Sequence, residues 1–160
     1  RGFAMRVIAH DPYWDEEFAR EVGVERLSLE EVVRQADFLT LHLPASPATE
    51  RIINADRLRM MKRTAFLINT ARGTLVDERA LDQALREGWI AGAALDVFEK
   101  EPPWGSAILQ HDNVIFSPHV AGFSQRANEL SIRMAVDNVL NVLTGRPPLD
   151  CVNREVLERR

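Results

Sequence analysis

The stretch that decides the fold is residues 64–98, TAFLINTARGTLVDERALDQALREGWIAGAALDVF. It opens on a short apolar run of strand length, 64–70. Asp77 then stands where a helix N-cap belongs, and a helix is predicted to about Glu87, with Gly88 closing it. A second apolar run, 90–98, follows at once. Strand, capped helix and strand at this spacing make a βαβ unit, which requires a parallel sheet.

The same alternation extends in both directions. Upstream, MRVIAH (5–10) is a predicted strand ending in Asp11-Pro12, followed by a helix over 14–22 that Gly23 closes. Ser28 and Glu31 form a capping box for a helix over 29–35. DFLTLHLP (37–44) is a strand that Pro44 stops, and Asn54 caps a helix through 61. Downstream, NVIFSP (113–118) is the last strand. Over 124–143, Leu130, Met134, Val136, Val139, Leu140 and Leu143 recur at helical spacing, and Thr144-Gly145-Arg146-Pro147-Pro148 ends that long helix. The expected organisation is α/β over 1–123 and a helix with a tail over 124–160.

Composition excludes several classes of function. Hydrophobic residues make up 46% and charged residues 28% of the 160, which is ordinary globular usage. No apolar run approaches the roughly 18 residues of a membrane-spanning helix. A net charge of -4, with basic residues scattered among acidic ones, argues against nucleic-acid binding. One cysteine, Cys151, leaves no internal disulfide and no cysteine-based metal site, and it suits a reducing cytoplasm. No His or carboxylate pair shows metal-ligand spacing, so no metal is expected.

In open parallel sheets ligands bind beyond the carboxyl ends of the strands, and the unusual polar residues of this chain fall there. Asp11 follows the first strand, His42 lies in the next as a cleft wall, and Asn69-Thr70-Ala71-Arg72-Gly73 follows the third. Asp96 and Glu101 follow the fourth, Ser117-Pro118-His119 the fifth. Asp96 interrupts an apolar run, where a carboxylate is costly unless paired or useful. A histidine can exchange a proton with a substrate hydroxyl, a carboxylate can steady its protonated form, and an arginine fork can hold a substrate carboxylate. His119, Glu101 and Arg72 suit these roles, but spacing alone does not bring them together.

Four motifs in order, LHLPASPATERIIN (41–54), LINTARGTLVDERAL (67–81), AGAALDVFEKEPP (91–103) and NVIFSPHVAG (113–122), resemble the D-isomer-specific 2-hydroxyacid dehydrogenases. The resemblance implies a Rossmann-type doubly wound parallel sheet and hydride transfer between NAD(H) and a 2-hydroxy or 2-keto acid of D-configuration. By resemblance, Arg72 binds the substrate carboxylate and carbonyl, and Glu101 pairs with the proton-transferring His119. Asp96 and Gly122 approach the cofactor with His119 and Arg72, while Leu43, Pro44, Thr70 and Ala71 contact it through backbone and apolar surface. Asp11 bonds the adenosine ribose and favours NAD over NADP. The complete family enzyme is expected to be a cytoplasmic homodimer.

Some features depart from that pattern. No G-x-G-x-x-G loop occurs in the 160 residues, and no strand precedes 5–10. Residues 1–4 are therefore expected to be the tail of the helix after that loop, and the helix over 124–143 to pack on an N-terminal substrate domain that is not present. Alone, the 160 residues are expected to show no dehydrogenase activity. Glu101 speaks against the formate dehydrogenase branch, and Trp104 and Phe123 are bulky where relatives are smaller. Two other readings stand beside the enzyme: an NAD(H)-binding module like the corepressor relatives, and an inactive remnant.

Overall fold

The computed structural model describes residues 3–159. Its contacts divide the chain into two compact units, Arg1–His119 and Val120–Arg160.

In the first unit, β1 (Val7–Ala9) and β2 (Val24–Arg26) pair in parallel, with Ile8 opposite Glu25. Between them runs α1 (Glu16–Val22). Asp15 caps it by accepting from the Phe18 N–H, and Gly23 ends it at φ 68°, a left-handed turn that favours glycine. The sequence predicts no strand at β2. Two of its three residues are charged, so it reads as a polar link, yet an edge strand tolerates charge on its solvent side. Arg6 grips Glu25 at 2.6 Å across this pair.

The larger sheet has four parallel strands in the order β3 (Phe38–Leu41), β4 (Phe66–Asn69), β5 (Gly92–Leu95) and β6 (Val114–Phe116). Among the described residues the parallel strands thus form two sheets, of two and four strands, in which β1 and β3 are edge strands. Of the residues read as a helix tail, Arg1 and Gly2 lie outside the description, and Phe3 and Ala4 are not helical.

Three helices cover one face of the four-stranded sheet. They are α2 (Leu29–Gln35), α3 (Ala55–Met60) and α4 (Glu78–Arg86). Ser28 and Glu31 make the capping box, and Asn54 and Asp77 cap α3 and α4 through the N–H groups of Arg57 and Ala80. Val33, Leu58, Leu81 and Leu85 pack against Leu39, Leu67, Ala93 and Leu95 of the strands, with Ile53 and Ile108 closing the ends. Side chains alternate across a strand, so Phe38, Thr40, Phe66 and Ile115 point to the other face. There Phe38 and Phe66 stack at 5.8 Å and remain exposed.

The second unit is α5 (Gln125–Leu143) and its tail. Ser124 caps α5 by accepting from the Ala127 N–H. Asn138 holds the returning tail by accepting from the Leu149 and Asp150 N–H groups. No residue of α5 is buried, although Leu130, Ile132, Val136 and Val139 are each more than half exposed. The basic end of the chain forms a 3-10 turn, Arg154–Arg159.

Candidate active site

Two loops at the carboxyl ends of β3 and β4 face each other. Their residues His42, Leu43, Pro44, Ala45, Thr70, Ala71 and Arg72 line a cavity of about 460 Å³, within the roughly 300–1,000 Å³ of small-molecule sites. His42 lies one residue beyond β3, where its Nε2 meets the Thr40 hydroxyl at 2.9 Å, so it is a wall as expected but not a strand residue. Asn69 is 1% exposed and shapes the opposite wall. Its amide donates to the Arg72 carbonyl at 2.9 Å, and its oxygen accepts from the Ala71 N–H at 3.1 Å. The Asn-Thr-Ala-Arg turn is thus folded around one side chain. The Arg72 guanidinium is exposed and donates to the Ala71 carbonyl.

One register further along the rim, Asp96 ends β5 and is 3% exposed. Its N–H donates to the Asn69 carbonyl, its carboxylate accepts from the Ser117 hydroxyl, and its carbonyl accepts from the His119 N–H at 2.9 Å. Through its backbone and its carboxylate together, Asp96 joins three strand ends. His119 sits at φ 56°, a left-handed conformation that a side chain rarely adopts without support. The bond to Asp96 supplies part of that support.

The side chain of His119 meets Glu101, with Nδ1 at 2.8 Å from Oε2. The other oxygen of Glu101 accepts from the Phe98 N–H at 3.1 Å. The bond to His119 and then the Phe98 N–H hold the Glu101 carboxyl below its ordinary range, against a smaller opposing effect of burial. Glu101 is therefore an anion at neutral pH, and a carboxylate on Nδ1 fixes the tautomer that presents Nε2 outward.

Gly73 joins the Arg72 turn to the Glu101 loop by close approach. A Cβ there would lie 1.9 Å from the Phe98 carbonyl carbon and 2.5 Å from the Glu99 nitrogen. The peptide following Phe98 thus lies directly on the glycine, and only a hydrogen fits between them.

The other sequence-predicted residues fall in separate places. Asp11 is exposed at the end of β1 and accepts from the Tyr13 N–H at 2.7 Å. Gly122 and Phe123 belong to the second unit, and Phe123 is exposed. Trp104 is 84% exposed and lines no cavity described here. His111 bonds Asp82 at 2.8 Å, and His10 approaches the Leu27 carbonyl. Cys151 Sγ lies 3.7 Å from the Asn153 amide oxygen. Among the described residues there is no group of three or more His, Cys, Asp or Glu able to hold a metal, and no helix long and apolar enough to cross a membrane.

Sequence reasoning left Asn69 and Ser117 without roles. Both carried a signal: Asn69 is an amide at a buried strand end two residues before a backbone N–H that it caps. Ser117 stands one strand over from a buried carboxylate that needs a donor.

In open parallel sheets ligands bind beyond the carboxyl ends of the strands, where this rim lies, and comparison with known proteins identifies the family. Residues 1–121 match the family model described as D-isomer specific 2-hydroxyacid dehydrogenase, NAD binding domain. The chain is 43% identical to a glyoxylate reductase of Korarchaeum cryptofilum over 161 aligned residues, covering all of this chain and 48% of that protein. It is 41% identical to a D-3-phosphoglycerate dehydrogenase of Methanocaldococcus jannaschii, covering 96% of this chain and 29% of that one. The fold superimposes with TM-score 0.86 and 32% identity on the NAD-complexed D-isomer specific 2-hydroxyacid dehydrogenase of Lactobacillus delbrueckii ssp. bulgaricus, over 95% of this chain and 50% of that one. The chain spans about half the length of the glyoxylate reductase it matches. Family model, sequence relatives and fold agree with one another, and the chain belongs to the D-isomer specific 2-hydroxyacid dehydrogenase family.

Proposed function

We propose that this chain provides the cofactor cleft and the proton-transferring pair of an NAD-dependent oxidoreductase acting on 2-hydroxy and 2-keto acids of D-configuration. The observation that carries the reading is the Glu101–His119 bond at 2.8 Å on the same rim as the cleft.

The residues fit a dinucleotide. Leu43, Pro44 and Ala71 offer apolar surface in the cleft, and Thr70 and Arg72 offer polar groups. Asp96 would serve the nicotinamide end, and the exposed carboxylate of Asp11 the adenosine ribose. A carboxylate there also repels a 2′-phosphate, which favours NAD over NADP. NADH, when bound, supplies the hydride that reduces the substrate carbonyl.

The chain's own groups do the rest. Arg72 swings from the Ala71 carbonyl to hold the substrate carboxylate and polarise its carbonyl. Protonated His119 gives its Nε2 proton to the carbonyl oxygen, and Glu101 stabilises the imidazolium beforehand. In the oxidative direction neutral His119 removes the hydroxyl proton. A cytoplasmic setting and a homodimer complete the reading. They rest on the single cysteine and on the family resemblance.

The test is loss of NADH absorbance with glyoxylate, hydroxypyruvate and pyruvate, measured on the full-length protein and its His119→Ala variant. Turnover that falls by about 10²–10⁴-fold in the variant supports the reading. NADH binding with no turnover on any acid makes the chain a binding module instead. Turnover that survives the substitution overturns the assignment of His119.

A further inference from the structure

Glu101, the carboxylate of the pair just assigned to proton transfer, stands on a loop, 97–106, that has no regular secondary structure. It leaves the core at Phe98, which is buried, and re-enters it at Ile108, 1% exposed. Glu101 lies in the part between, next to Pro102, Pro103 and the exposed Trp104. A loop of this kind would let Glu101 drift from His119 unless something fixed its two stems.

Glu78, at the first turn of α4, reaches both stems with one carboxylate. Oε1 accepts from the Glu99 N–H at 2.6 Å, and Oε2 accepts from the Ser106 hydroxyl at 3.3 Å. The N-terminal turn of a helix is a favourable place for an acidic side chain. Arg51 steadies the first stem from the other side, 3.4 Å from the Glu99 carboxylate. Its own N–H donates to the Thr74 carbonyl, which anchors Arg51 to the Arg72–Gly73 turn. Both of these Glu78 carboxylate bonds go to the loop.

We propose that Glu78 is a positioning residue that clamps both stems of the 97–106 loop and thereby keeps Glu101 on His119. This rests on the reading of Glu101 and His119 as the proton-transfer pair.

The test compares E78A, E78Q and S106A in the full-length protein by steady-state reduction of a 2-keto acid across pH. Removing the clamp lets Glu101 spend time away from the imidazolium. In E78A, kcat is expected to fall about 10–100-fold, the scale set by misplacement of about 1 Å. The KM for NADH should stay within about twofold, because the cleft loops are untouched. The alkaline limb of the pH profile should move to lower pH, since the protonated form loses its partner. E78Q keeps an oxygen for the Glu99 N–H and an amide for Ser106, and is expected to restore most of the loss. S106A removes only the longer bond and should give a smaller change in the same direction.

An unchanged kcat and pH profile in E78A overturns the proposal. So does a loss in E78A that comes with an unmoved pH limb and no rescue by E78Q, which would be merely structural. If E78A does not fold, an S106A profile identical to that of the parent overturns it. H119A separates the two claims: an active H119A defeats the pair itself, whereas an inactive H119A with a normal E78A defeats only the clamp.

Discussion

Replacing Gly73 by alanine tests how tightly the Arg72 turn and the Glu101 loop are interlocked. The new methyl group would sit 1.9 Å from the Phe98 carbonyl carbon and 2.0 Å from its oxygen, and both are backbone atoms that no rotamer change can move. Ordinary contact begins near 3.4 Å, so the peptide after Phe98 must retreat by about 1.5 Å. Overpacking of this kind costs about 1–3 kcal/mol. For a chain of 160 residues that lowers Tm by roughly 2–12 °C. The retreat also displaces the Phe98 N–H, one of the two groups that hold Glu101. A shift of that size costs about 10²-fold in turnover. Thermal unfolding followed by circular dichroism, and steady-state NADH oxidation by the full-length protein, read the two effects. A G73A variant with parental Tm and turnover within about threefold would refute the interlock.

Other perturbations give separable outcomes. Asn69→Ala removes a 1%-exposed amide that supports two backbone groups; a loss of about 1–3 kcal/mol in urea unfolding is expected, together with a raised KM for NADH. Asp77→Ala removes the cap of α4 and should cost about 1 kcal/mol, with kcat unchanged once the protein is folded; a fall in kcat without loss of stability would contradict this. Glu101→Gln tests pH linkage. Because the folded carboxyl titrates below its ordinary value, its stabilisation is present above the unfolded value and lost as pH falls through the folded one. The stability gap between parent and E101Q should therefore close under acid, and a gap that widens there would contradict the assignment. Asp11→Ala should weaken discrimination against NADPH, measured as the ratio of kcat/KM for the two cofactors; an unchanged ratio removes Asp11 from the ribose site.

The parts of the fold that local chemistry determines were legible in the sequence. Asp15 and Ser124 were caps not foreseen, whereas Ser28, Asn54 and Asp77 each stand at the helix start their residue type predicts, because a cap acts within its own turn. Strand pairing is non-local, and there the reading fell short. Val24–Arg26 becomes a strand only because Val7–Ala9 lies beside it. The site shows the same boundary. Asp96 could be singled out from its apolar neighbours alone. Glu101 and His119, 18 positions apart, were joined only through the family's motifs. Glu78 escaped notice because an acid in the first turn of a helix already has an ordinary explanation in the helix dipole.

The unpaired edges of β1 and β3 govern how the polypeptide behaves in company. β3, Phe38–Leu41, carries no charge, and the Phe38–Phe66 stack lies exposed on the sheet beside it. Natural sheets blunt such edges with lysines, prolines or bulges, and this strand has none of them. Its free N–H and C=O groups are a template for any extended segment with an apolar side. In concentrated solution the 160 residues should therefore oligomerise through that rail, and an added peptide that supplies one parallel strand should disperse them. Solubility should then depend on how the edge of one short strand is covered, more than on the quality of the core.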